Sequence, residues 1–295
     1  MNAKDSFSWE KIKKKDPCRE RCDSLEDAIK GCTDLGNLFD LWQTAQIYET
    51  DYKSSFPNLS LAKCPKLSSS GEFERSFRSS FCPDGFLSKE AKPEVPILFI
   101  CRESNISGNI DNSTLKLKPE DKQIFWLREV VRCRGGKPAS YYNINEKAHP
   151  SEAEKKDLSS AKRAQTKYFN CLLKLLDDLE EENLIGRDEE LIDKKKKLST
   201  CAYLNINKRG GFASCDQSRL TVYAERYHLF IQKEISIIQP KHIVICGELN
   251  NDDLRETMES ILQACGYQEY WVYPKHPSRY TKDVVPKEVK LSKKE

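Results

Sequence analysis

Four short apolar runs, roughly Val95–Cys101, Thr200–Ile206, His242–Gly247 and Glu269–Tyr273, limit what this chain can fold into. Each is bounded by turn-rich sequence, and such runs read as parallel strands buried on both faces. Between the second and third, Leu220, Tyr223, Ala224, Tyr227, Ile231, Ile235 and Ile238 recur at helical steps, and Pro240 ends the pattern. Between the third and fourth, Leu254, Met258, Ile261, Leu262 and Cys265 mark a shorter helix, capped by Asn251 or Asp252 and ended by Gly266. Strand, helix, strand, helix, strand predicts an α/β fold with a parallel sheet and right-handed crossovers.

The first crossover is long. A polar loop from Ile106 to Lys122 leads to Ile124-Phe125-Trp126-Leu127, expected to be helical. A second helix is expected around Gln165–Glu182, with Tyr168, Leu172, Leu175, Leu176 and Leu179 on one face. The densely charged tract Glu180–Lys197 reads mainly as a solvated excursion. Residues 1–92 differ in texture. Leu25, Ala28, Ile29 and Cys32, then Leu35, Leu38, Leu41 and Trp42, predict one or two helices packed on the sheet. The expected organisation is a helical extension at 1–92, an α/β domain at 93–283 and a charged tail at 284–295.

Of the 295 residues, 38% are apolar and 32% charged, so a core is feasible under a heavily charged surface. No run is long enough to span a membrane, and the opening residues lack the apolar stretch of a signal peptide. A cytoplasmic protein with no membrane association is expected, and no obligatory protein partner is evident. The 12 cysteines are scattered, without a CxxC pair. Cys18, Cys22 and Cys32 leave a metal site open, although reduced structural thiols suit the spacing better. The net charge of +3 does not establish nucleic-acid binding by itself. Seven Lys/Arg against three Asp/Glu from Trp271 onward do give the last block local positive charge.

Three polar residues sit where strands should hand over to loops: Glu103, Asn205 and His276. Open parallel sheets bind ligands outside the carboxyl ends of their strands. A carboxylate, an amide and an imidazole gathered there suit cleavage of a bond to a nucleobase. The bland reading of the same residues is an exposed loop glutamate, an asparagine capping its own turn and a surface histidine.

The blocks Cys101-Arg102-Glu103-Ser104-Asn105, Leu204-Asn205 and His276-Pro277-Ser278 resemble, in order and spacing over about 95–280, the motifs of the uracil-DNA glycosylase superfamily. The resemblance implies a three-layer α/β/α fold around a four-stranded parallel sheet, no cofactor or metal, and DNA as partner. It implies that Glu103 stabilises an oxocarbenium-like state and orients water, and that His276 donates to the leaving base. Asn205 would read an extruded base, which would stack on Phe125 or Trp126. Ser278 would bond a phosphate, with Arg279 and Tyr280 in the place of the superfamily's duplex wedge. Lys208, Arg209 and Lys275 are candidate phosphate contacts. The motif's glycine is Cys101 here, its proline is Ser104, and the tyrosine that screens C5 substituents in strict uracil enzymes is Asn105. That exchange implies a wider, more polar pocket, suited to a C5-modified cytosine such as hydroxymethyl- or glucosylcytosine in antiphage defence. Uracil excision in repair is the narrower expectation. The competing readings are a non-catalytic DNA-binding protein on the same fold and an α/β enzyme of free nucleotides or nucleosides. No GxxxxGK[ST], strand-borne GxGxxG, GxSxG or HExxH motif occurs.

Overall fold

All four apolar runs lie side by side in one sheet. The computed structural model describes residues 7–15, 21–48, 84–86, 95–105, 110–111, 116–117, 171–182, 200–211, 217–275, 284 and 286–291. Within these, Lys15, Ile47, Phe86, residues 103–105, 110–111, 116–117 and 209–211, and Arg219 are described by their backbone alone. The elements, in chain order, begin with helices α1 (Trp9–Lys15), α2 (Leu25–Lys30) and α3 (Leu35–Ile47). Strands β1 (Gly85–Phe86), β2 (Val95–Asn105), β3 (Ile110–Asp111) and β4 (Lys116–Leu117) follow, then helix α4 (171–181). The remainder is β5 (Ala202–Gly211), α5 (Gln217–Arg226), α6 (His228–Ile238), β6 (Pro240–Cys246), α7 (Asp252–Ala264), β7 (Glu269–Tyr273) and β8 (Lys287–Lys290).

Among the described residues the main sheet has six strands in the order β1-β5-β2-β6-β7-β8, and β3 pairs with β4 separately. The inner four, β5, β2, β6 and β7, are parallel; β1 and β8 run antiparallel at the two edges. The sheet is therefore mixed and wider than the four parallel strands expected. Residues 287–290, read from sequence as part of a charged tail, form an edge strand, and Leu291 after it is buried. Lys-Glu-Val-Lys is the sort of charged composition that protects an edge from further pairing. At the other edge, the N-terminal region supplies β1. Gly85 there has φ +115°, and a Cβ would run into Leu35 of α3, so the close approach of strand and helix needs glycine.

Alternation along the strands divides the core in two. Leu98, Ile100, Leu204, Ile206, Ile243 and Ile245 face α3, α5, α6 and α7. Ile97, Phe99, Cys101, Tyr203, Val244, Cys246, Trp271 and Tyr273 face the leucines of α4, namely Leu172, Leu175, Leu176 and Leu179. Helices thus cover both faces, as buried parallel strands require. The single long amphipathic helix expected over 220–238 is two helices that meet at Tyr227. The Tyr227 ring lies 4.4 Å from that of Tyr223 and 5.8 Å from Trp42. Trp42, fully buried, stacks on Phe230 at 5.0 Å and pins α3 to this face. Truncating such a tryptophan to alanine costs about 3–5 kcal/mol. The caps follow the sequence: Ser24, Asp34 and Asn251 each accept a backbone N–H from the first turn of their helix.

Candidate functional site

Strand order determines where a ligand can enter. The chain leaving β2 reaches β5 by way of α4 on one face, whereas β5 and β6 are followed by α5 and α7 on the other. Adjacent strands whose connections run in opposite directions across the sheet part at their carboxyl ends, which opens a crevice. That switch lies between β2, whose connection runs outward to β5, and β6, whose connection runs the other way to β7. In register, Cys101 is opposite Asn205 and Glu103 opposite Asn207, after which the pairing slips before Asn105 meets Gly211. Neighbouring strands are about 4.8 Å apart, so strand positions 103, 205 and 207 form one patch. β7, which leads to His276, lies two strands from β2, roughly 10 Å away.

Asn205 is fully buried inside β5, not at its end, because β5 runs on to Gly211. Its Oδ1 accepts the Tyr203 hydroxyl at 3.1 Å. Its backbone N–H donates to Asp84 Oδ2 at 2.5 Å. β1 pairs only with Tyr203 and Ala202, so the Asp84 carboxylate takes the place of a further strand partner. Asn207, only 3% exposed, continues the same alternation two residues on. The Asn205-Ile206-Asn207 spacing carried this signal, but sequence reasoning stopped at Asn205. Beneath the patch, burial and the neighbouring Cys101 push the Cys246 thiol well above the usual range, which leaves it unsuited to act as a nucleophile.

Lys208 corrects an expectation. The sequence offered it as a DNA phosphate contact, yet its side chain is entirely buried on the opposite face of β5. Its Nζ pairs with Asp84 Oδ1 and lies 2.8 and 3.0 Å from the two oxygens of Glu234. The rings of Trp42 and Phe39 stand 5.4 and 5.5 Å from the ammonium. An ammonium enclosed by two carboxylates and two aromatic faces has no exposed edge to offer a phosphate. Burial, and then the adjacent Asp84 carboxylate, hold the Glu234 carboxyl well above its ordinary value of 4.5, against the pull of Lys208.

A raised folded-state value gives stability that is complete below the unfolded value and lost as pH rises through the folded one. Glu234→Gln mimics the protonated carboxyl and carries no such linkage. Its stability relative to the natural protein is therefore expected to improve steadily as pH climbs above about 4.5. Urea unfolding of both proteins at pH 5 and pH 8 measures this, and parallel pH curves would contradict it.

Of the other expected site residues, Glu103, Asn105 and Arg209 are described by backbone position alone. Lys275 is half-buried just beyond β7. Phe125, Trp126, His276, Ser278, Arg279 and Tyr280 lie outside the described residues, as do Tyr168 and most of the tract 180–197; within the stretch expected as a polar loop, 106–122, only the paired β3 and β4 are described.

Arg102, next to Glu103, turns to the other face and donates from Nη2 to the Glu248 carbonyl at 2.5 Å. Gly247 lets it pass, having φ +104° and room that a Cβ would take from the guanidinium. At the opposite, amino-terminal edge of the sheet a cavity of about 570 Å³ opens between α2, α6 and the end of α7. Burial pushes the Cys265 thiol on its wall up to about 11, so thiolate chemistry is not available there near neutrality.

No group of three or more His, Cys, Asp or Glu among the described residues is arranged to hold a metal. Cys18 is outside them; Cys32 is buried and its thiol donates to the Ala28 carbonyl at 3.3 Å. No described helix is long and apolar enough to cross a membrane. The chain is thus an α/β protein with polar residues at the carboxyl ends of two inner parallel strands. Comparison with protein-family models, curated proteins and solved structures finds no match.

Proposed function

We propose that this protein is a divergent DNA glycosylase of the uracil-DNA glycosylase type, which extrudes a pyrimidine and hydrolyses its N-glycosidic bond to leave an abasic site. The observation that carries the reading is the register: strand positions 103, 205 and 207 meet on adjacent parallel strands, the first of which, β2, borders the sheet's topological switch. In this scheme Asn205 reads the base edge, and the C1′–N bond breaks with its electron pair leaving on the base. His276 donates to the base oxygen as that charge develops. Glu103 stabilises the cationic sugar, orients water toward C1′ and takes the proton that water sheds. Ser278, Arg279, Tyr280 and Lys275 follow β7 and hold the DNA; Arg209 does so from the end of β5. Phe125 and Trp126 supply the stacking face.

Asn105 in place of the screening tyrosine favours a cytosine bearing a bulky polar C5 group, and hence antiphage defence, over uracil in repair. Among the described residues, the unbridged cysteines Cys22, Cys171, Cys246 and Cys265 suit a reducing, cytoplasmic setting.

The test is a panel of duplexes carrying uracil, thymine mismatches, and hydroxymethyl- or glucosylcytosine, treated with alkali to reveal abasic sites. Strand scission on the modified cytosines is the expected result. Scission on uracil alone removes the modified-base specificity, and no scission on any duplex removes the glycosylase reading.

A further inference from the structure

We propose that Lys208 and Asp84 become joined by a covalent isopeptide bond, formed within the folded chain with Glu234 as the proton carrier. The proposal is independent of the glycosylase reading and concerns only the buried cluster on the opposite face of β5.

An amine and a carboxyl condense when they touch, when water is kept out and when protons can move between them. Lys208 Nζ pairs directly with Asp84 Oδ1, brought there by β5 and by the residue just ahead of β1. Groups held in one geometry react as though at very high concentration, which offsets the slowness of amide formation between free partners. None of the three side chains has exposed surface, and the rings of Trp42 and Phe39 stand 5.4 and 5.5 Å from Nζ. Glu234, on α6, places its two oxygens 2.8 and 3.0 Å from the same nitrogen. Its burial, and then the Asp84 carboxylate, favour its protonated form, so it is equipped to give a proton and take one back.

The step balances without a co-reactant. The cluster starts as an ammonium, a carboxylate and a neutral Glu234. A proton passes from Nζ to Asp84 Oδ1 by way of Glu234, leaving an amine beside a carboxylic acid; burial penalises neither neutral group as it does a charge. The amine lone pair attacks Asp84 Cγ, and a carbon–oxygen π pair moves onto Oδ2. The Asn205 backbone N–H, 2.5 Å from Oδ2, stabilises the charge that gathers there. The pair then returns, the Cγ–Oδ1 bond breaks, and Oδ1 departs as water with two protons that began on the nitrogen. Glu234 ends as it started. A buried pair of opposite charges is exchanged for one neutral amide, which removes the desolvation cost of both ions.

The bond closes residues 84–208 into a covalent ring and ties the segment ahead of β1 to β5. Variants that remove Lys208 cannot form it, so their charge balance is that of the unreacted carboxyls. In the natural protein Glu234 stays a buried carboxyl beside the amide, and the direction of its pH linkage is unchanged.

The test is the mass of the full-length natural protein, reduced and denatured, which needs no variant to fold. The expected mass is one water less than the sequence requires. Tryptic digestion is expected to release residues 79–89 joined to 198–209, with the chain uncut after Lys208. Asp84→Asn is expected to give the same joined peptide, ammonia leaving in place of water. Glu234→Gln, which lacks the acid, is expected to keep its full mass. Full mass in the natural protein, with the two peptides separate, overturns the proposal and leaves an ion pair. Water lost to a succinimide at Asp84-Gly85 persists in Lys208→Met and gives no joined peptide, and that result overturns it equally. A joined peptide in Glu234→Gln overturns the part given to Glu234.

Discussion

Lys208→Ala is expected to destabilise the folded protein by about 3–5 kcal/mol, the range found when one member of a buried ion pair is removed. The loss is large because of what remains. Asp84 and Glu234 are buried, and without the ammonium between them two carboxyls face one another in a site with little solvent. Alanine also leaves a void beside Trp42 and Phe39, adding a packing cost to the electrostatic one. Lys208→Met separates these contributions, since it restores most of the volume without the charge. The methionine variant is expected to recover only part of the loss.

Its deficit should also depend on pH in a definite direction. The orphaned carboxyls lose their charge only by binding protons, so the folded variant binds more protons than the unfolded chain above the ordinary carboxyl range. The deficit then shrinks in acid and widens toward neutrality. Combining Lys208→Met with Asp84→Asn and Glu234→Gln removes all three charges and should regain much of the stability. Urea midpoints of the three variants measure the sequence of effects. A deficit below about 1 kcal/mol in Lys208→Ala would mean that the cluster is solvated, contrary to its burial.

The same lysine explains what the sequence revealed and what it withheld. The inner strands were legible because buried parallel strands are continuous apolar runs, and Ile97–Cys101 and Ile243–Cys246 have no other plausible setting. Helix faces were legible for the same reason, as the leucines of α4 and the residues of α7 illustrate. Lys208 follows Leu204 and Ile206 on the core-facing parity of β5, yet a lysine is so seldom fully buried that it reads as surface. Its partners, Glu234 and Asp84, lie 26 and 124 residues away, and no local pattern connects them.

The edge strands were illegible for another reason. Gly85–Phe86 is too short to carry a pattern, and Lys287–Lys290 has the charged composition of a solvated tail. The candidate site falls between these cases. Motif blocks marked Glu103 and Asn205, but their adjacency depends on strand order, which one sequence does not encode locally. Once β5 is known to lie beside β2, the Asn-Ile-Asn spacing acquires a meaning that it lacked as text.

Glu103→Gln is expected to reduce turnover on the preferred duplex by about 10³-fold while leaving DNA affinity within a few fold. Glutamine keeps the length and shape of the side chain and removes only the charge and the capacity to take a proton. β2 is an inner strand paired on both sides, so its backbone does not depend on this side chain for its place in the sheet. The distinction between chemistry and binding is therefore clean at this position. On the proposed reading DNA affinity would come mostly from phosphate contacts elsewhere, and its steep decline with salt should be the same in the natural protein and the variant. Single-turnover cleavage and fluorescence anisotropy on one labelled duplex measure the two quantities side by side. Turnover retained within tenfold would remove the carboxylate from the chemistry. Parallel loss of binding would assign it to DNA contact instead, and a natural protein that binds duplexes with nothing to lose in turnover would be a DNA-binding module on this fold.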